Sequence, residues 1–150
     1  MKSITLRVRD IMTTPVITVR KGTTVSKAAS IMSKHHIGGL VVVDDKERPI
    51  GMLTERDLVR KIVATYKDPR TTQVEEIMSS PLVAGNPEMT LEEAAKLMIK
   101  MNVKRLPIIR EEELVGILTF TDIIRTYPDL VESLKIEKKI PRRFRKLIRF

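Results

Sequence analysis

The feature that most constrains this chain is an internal repeat. The segment starting at Val8, VRDIMTTPVITV, is answered at Val74 by VEEIMSSPLVAG, 66 residues further on. The offset holds beyond the opening motif: Val25, Ala28, Ala29 and Met32 recur as Leu91, Ala94, Ala95 and Met98. Their i, i+3, i+4, i+7 spacing predicts an amphipathic helix with one apolar stripe in each copy. HHIGGLVVVD then answers to VKRLPIIRE, and after a one-residue contraction GMLTERDLV answers to GILTFTDII. Self-similarity over about 50 residues per copy means one supersecondary unit used twice.

Each copy reads in one order: a short strand after Pro15 or Pro81, a helix, two strands around a polar turn (DDKERP or EEE), and a second helix. The β-branched runs Gly39–Val43 and Ile50–Leu53 are strand-length and closely spaced, which predicts an antiparallel hairpin. The expected fold class is therefore α/β, two pseudo-symmetric β-α-β-β-α repeats at 1–66 and 67–134, followed by a basic amphipathic extension at 135–150. YKDPRTTQ, from Tyr66 to Gln73, reads as the linker. One repeat of about 60 residues would bury a marginal core, so the two apolar faces are expected to pack together and leave a pseudo-twofold cleft, a natural ligand site.

Composition narrows the function classes. There is no cysteine, hence no disulfide framework, thiol nucleophile or Cys-based zinc site. The longest apolar stretch, Ile37 to Val43, is far short of the roughly 20 residues a membrane-spanning helix needs, and MKSITLRVRD has no signal-peptide core, so a cytoplasmic location is expected. Few amides (Gln73, Asn86, Asn102) beside 31% charged residues is a thermophile-like balance. The net charge of +9 is concentrated in residues 135–150, where eight Lys/Arg face Glu137 alone.

The candidate chemistry lies where the third strand of each copy ends: Gly51-Met-Leu-Thr54-Glu-Arg-Asp57 and Gly116-Ile-Leu-Thr119-Phe-Thr-Asp122, each leading into a helix. One reading is a capping box, Thr and Asp satisfying backbone N–H groups of the first turn. Another uses the same geometry for a ligand: the helix start attracts phosphate, the Thr hydroxyl adds a hydrogen bond, and the carboxylate holds ribose hydroxyls. The two are compatible.

Together with IMTTP/IMSSP, the Ala-Ala-x-x-Met helices and KRLPI, these endings resemble the cystathionine-β-synthase (CBS) domain family over about residues 8–127. Members are tandem pairs (Bateman modules) that commonly sense adenosine nucleotides. The resemblance implies two pseudo-equivalent sites. One would join Thr54 and Asp57 to Val83, Val103, Lys104, Arg105 and Pro107; the other would join Thr119, Thr121 and Asp122 to Val16, His36, Ile37, Gly38 and Gly39. In that pattern Asp holds the ribose, Thr and nearby cations hold phosphate, and strand edges grip the adenine. The sequence departs at Val41, which follows Leu40 where Pro107 follows Leu106. AMP, ADP or ATP is the implied ligand, an S-adenosylmethionine-like molecule the next, and a homodimer is implied by the family alone.

Lys104 and Arg105 are candidate phosphate cations, Arg by its bidentate fork. Read as adjacent strand residues, His35 and His36 are expected to point to opposite faces, and with no further Cys or His available the pair is unsuited to holding a metal. Glu111–Glu113 and Asp44–Asp45 fall in turns as solvated charge, and Met12, Met32, Met78, Met98 and Met101 sit at core periodicity. No catalytic constellation is readable, so a non-enzyme is expected. Pro141 interrupts any helix through the tail, and Phe144, Leu147 and Ile148 beyond it predict a short basic amphipathic helix. Docking on the body, a protein partner, nucleic acid and an acidic membrane all fit it. The rivals to a ligand sensor are therefore a nucleic-acid- or partner-binding adaptor acting through the tail, and a structural dimerisation unit.

Overall fold

The computed structural model describes residues 5–136 and 140–148, apart from the side chain of Ile136. The chain divides into two compact units: Val16–Leu82, and the stretch before Val16 joined to the stretch from Val83 onward. These units cut across the sequence repeats, because the two Ile-Met-x-x-Pro stretches are exchanged, each packing on the hairpin of the other copy.

In the Val16–Leu82 unit, β1 (Thr18–Arg20) runs parallel to β2 (Gly39–Val43), which pairs antiparallel with β3 (Pro49–Thr54). Every residue of β2 is buried, as expected of a central strand covered on both faces. Between β1 and β2 lies α2 (Val25–His35), the next helix after the short α1 (Val8–Ile11) of the other unit. The Thr24 hydroxyl caps α2 by accepting from Lys27 N, and Val25, Ala28 and Met32 form its buried stripe. Helix α3 (Glu55–Leu58) follows β3 and widens into a π-helical turn at Val59–Val63. The expected linker is integrated rather than loose: Val25 N donates to Thr72 O, Ser26 N to Pro69 O and Val74 N to Thr23 O. IMSSP closes the unit, with Met52 and Ser79 exchanging backbone hydrogen bonds of 3.1 and 2.8 Å.

The other unit repeats this plan. Helix α4 (Leu91–Met101) opens with a Thr90–Glu93 capping box and buries Leu91, Ala94, Ala95 and Met98. The hairpin of β4 (Arg105–Arg110) and β5 (Glu113–Thr119) leads into α5 (Phe120–Thr126) and α6 (Pro128–Ile136). Here IMTTP closes the sheet edge: Thr13 N donates to Ile117 O and Ile117 N to Thr13 O. The strand expected after Pro81 is reduced to a single parallel bridge, Gly85 with Ile108. Where the first copy has Thr18-Val19-Arg20, the second has Ala84-Gly85-Asn86 followed by Pro87, residues poor at extending a ladder. Asn86 instead turns the chain, its side-chain oxygen accepting from Glu88 N and Met89 N.

The exchange explains the glycines that open the two Gly-apolar-apolar-Thr motifs. A Cβ at Gly51 would press on the Met78 side chain, and one at Gly116 would meet Met12 Cγ at 2.9 Å. Each Met of Ile-Met-x-x-Pro thus lies across the glycine of the other copy. Met32 and Met98 are buried as expected, whereas Met101 is not core: it is 47% exposed, at the last residue of α4, although its i+3 spacing from Met98 continues the stripe.

After Pro141 the basic segment forms α7 (Arg142–Ile148), which buries Phe144 and Ile148 in the core of the second unit. Phe144 meets Phe120 edge to face with ring centroids 4.7 Å apart, and Arg143 donates to Asn102 O at 2.9 Å. No helix among the described residues is long and apolar enough to cross a membrane.

Candidate functional site

Both Thr-x-x-Asp motifs form complete capping boxes at the junction of a strand and a helix. In the first, Thr54 Oγ1 accepts from Asp57 N at 3.3 Å, while Asp57 Oδ2 accepts from Thr54 N at 2.9 Å and from Thr54 Oγ1 at 3.1 Å. The other oxygen of Asp57 meets Lys61 Nζ at 3.1 Å, and Lys61 also donates to Ile77 O at 2.8 Å, tying the box to the IMSSP stretch. Asp57 is only 7% exposed, so this ring of donors offsets the cost of burying a carboxylate.

The second box is more open. Asp122 Oδ2 accepts from Thr119 N at 3.2 Å, and Thr119 Oγ1 accepts from Asp122 N at 3.1 Å. The nearest cation, Arg125, is 3.9 Å from Asp122 and largely solvated. Unlike Thr54, the Thr119 hydroxyl donates to no described group, which leaves its proton available to a ligand acceptor.

Each box adjoins the start of the first strand of its own hairpin. Thr54 is in register with Gly39, and Glu55 N donates to Gly38 O at 3.0 Å; Thr119 is in register with Arg105, and Phe120 N donates to Lys104 O at 2.9 Å. Both turns into these strands pass through a left-handed residue, His36 (φ 53°) and Asn102 (φ 54°). Thus Thr54, Asp57, His36, Ile37, Gly38 and Gly39 lie together in one unit, with Val16 at its entry. Thr119, Thr121, Asp122, Val103, Lys104, Arg105 and Pro107 belong to the other, as does Val83. Pro107 and Gly39 are buried; Val16, Ile37, Gly38, Val83, Val103, Lys104 and Arg105 are half-buried; His36 and Thr121 are exposed.

Sequence reasoning misses four contributors. Lys61 is signalled only by its i, i+4 spacing from Asp57. Met12 and Met78 are read as plain core residues, although both they and the glycines they cover recur in the two copies. Phe120, inside the second box, has exposed Glu55 as its counterpart and gives no sign that it supports α7.

Asp44 lies below the ordinary carboxylate range chiefly because Arg48 N donates to it, with Lys46 N and the Arg48 guanidinium adding to the effect. Asp68 is lowered by the Arg70 guanidinium and Glu88 by that of Arg9.

A family model for the CBS domain matches this chain twice, at residues 8–64 and 74–129. YhcV of Bacillus subtilis, a CBS domain-containing protein, is 43% identical over 116 residues, which is 77% of this chain and 81% of that protein. Protein MK0525 of Methanopyrus kandleri is 40% identical over 125 residues, 83% of this chain but 64% of its own length. Among solved structures, the CBS domain pair of protein MJ0100 in complex with 5′-methylthioadenosine and S-adenosyl-L-methionine has a TM-score of 0.77 at 28% identity, covering 84% of this chain and 98% of that one.

Proposed function

This chain belongs to the CBS domain family, as a tandem pair, and from that premise we propose that it is a regulatory module that binds adenosine ligands and has no catalytic step of its own. The observation that carries this reading is the pair of boxes. Each offers a carboxylate and a threonine hydroxyl at a helix start, beside the half-buried backbone of a strand entry. A vicinal diol suits the carboxylate, phosphate or another anion suits the hydroxyl and helix start, and a planar base suits the strand edge. The complex of the MJ0100 pair supports the adenosyl class. Asp57 and Asp122 are the ribose-holding groups, Thr54, Thr119 and Thr121 the anion contacts, with Lys104 and Arg105 adding positive charge. Val16, His36, Ile37, Gly38, Gly39, Val83, Val103 and Pro107 frame the base.

AMP, ADP, ATP, S-adenosylmethionine and 5′-methylthioadenosine form the test panel. A ligand held only by the folded state stabilises it by about 2.7 kcal/mol at a hundredfold excess over Kd. At least one member is expected to raise the melting temperature; no shift with any at millimolar concentration would sink the proposal. We also propose homodimerisation. Val59 and Val63, one helical turn apart and 59% and 70% exposed, give the Val16–Leu82 unit an unpartnered apolar ridge suited to a second copy.

A further inference from the structure

The charge of this protein is sorted in space as well as in sequence. On the body, several cations are held by acids, Arg48 by Asp44, Lys61 by Asp57, Arg70 by Asp68, Lys96 by Glu92 and Arg9 by Glu88, beside exposed ones such as Lys27, Lys34 and Lys100 that have no acidic partner among the described residues. On α7 three such cations gather on one short helix. Arg142, Arg145 and Lys146 are exposed, occupy i, i+3 and i+4 positions on one face, and have no acidic partner among the described residues. Such spacing holds the three side chains within about 5–6 Å of one another at Cβ.

What α7 does with its other face decides what these cations can meet. A basic amphipathic helix enters a membrane surface through its apolar side. Here that side is spent: Phe144 is 0% and Ile148 4% exposed, with Phe144 against Phe120 and Arg143 anchored on Asn102 O. The same burial removes Phe144 as a stacking platform for unpaired bases, the usual grip on single strands. A docked helix has also paid its ordering entropy before any partner arrives.

We propose that the outer face of α7, through Arg142, Arg145 and Lys146, docks on the phosphate backbone of duplex nucleic acid without reading its sequence. A duplex presents about one negative charge per 1.7 Å of axis, dense enough to engage all three cations at once. The contact is electrostatic and independent of the adenosine boxes.

The test is fluorescence anisotropy of the full chain with a labelled duplex of about 20 base pairs. Three phosphate contacts predict binding that weakens about 40-fold between roughly 50 and 200 mM salt. The triple variant Arg142→Glu, Arg145→Glu, Lys146→Glu is expected to lose binding and keep the wild-type melting temperature. Should the triple variant be less stable, Arg145→Ala alone carries the test, reducing the salt slope by about one unit while duplexes of different sequence remain equivalent. The proposal is overturned by duplex binding that survives in these variants, by no duplex binding at the lower salt, or by binding to phosphatidylserine vesicles in place of the duplex.

Discussion

In the unit built on Val16–Leu82, the carboxylate of the Thr-x-x-Asp box is enclosed by Thr54 and Lys61, and the residue after the threonine is exposed Glu55. In the other unit the carboxylate stays open, its nearest cation at 3.9 Å, while the residue after the threonine is fully buried Phe120 with α7 resting on it. One seven-residue motif therefore anchors to its surroundings in two ways, through the charge at its end in one copy and through an aromatic ring at its centre in the other. Enclosure by charge ties up the groups that a ligand would use. Anchoring by an aromatic leaves the Asp122 carboxylate and the Thr119 hydroxyl more open, so under the proposed function the second box is expected to be the stronger of the two binding sites and the first to contribute more to holding its unit together.

The largest effect that could break this contrast lies at the aromatic anchor. Phe120→Ala removes a fully buried ring and its edge-to-face partner, an expected cost of about 3–5 kcal/mol, whereas Glu55→Ala at the matching position should stay within about 0.5 kcal/mol. Urea denaturation of the two variants compares them directly, and similar losses would mean that the copies are supported alike.

A smaller pair of effects would sharpen the difference between the carboxylates. Asp57→Ala should cost about 1–3 kcal/mol of stability, because a cap is lost and Lys61 loses its buried partner. Asp122→Ala should cost only about 1 kcal/mol of stability but weaken adenosine-ligand binding about 10- to 150-fold. Calorimetric titration below the melting temperature separates the two; unchanged affinity in both variants would leave these residues as helix caps alone.

The smallest effect is set by pH. Asp44 and Asp68 in one unit and Glu88 in the other are held below their ordinary values, so the stability each contributes is complete above that range and lost as pH falls through the lowered one. Acidification below about pH 4 should therefore destabilise the protein. Asp44→Asn should flatten part of that fall, and because these groups are solvated the change should be modest and shrink with salt. Chemical denaturation across this pH range checks it, and a parent and variant that lose stability in parallel would remove Asp44 as a contributor.

Much of the architecture was legible because local rules and the repeat agreed. The 91-94-95-98 stripe, the Thr24 and Thr90 caps, the hairpins and the helix after Pro141 all follow from periodicity, capping chemistry and the missing proline N–H. Both boxes were legible for the same reason, since a capping box is closed by residues three apart. The strand after Pro81 was not: repeat symmetry promised a copy of Thr18–Arg20, but Gly85, Asn86 and Pro87 override it.

The sequence by itself determined the two-copy plan, its helices and hairpins, the residues of each box and the clustering of charge after residue 134, because each is decided within a few residues or by repetition. Only the tertiary structure decided the exchange of the Ile-Met-x-x-Pro stretches, the tie from Lys61 to Ile77 O and the seating of α7 on Phe120. These depend on contacts between residues far apart in the chain, such as Met12 on Gly116 and Phe144 on Phe120, where shape complementarity selects the partner and no local pattern announces it.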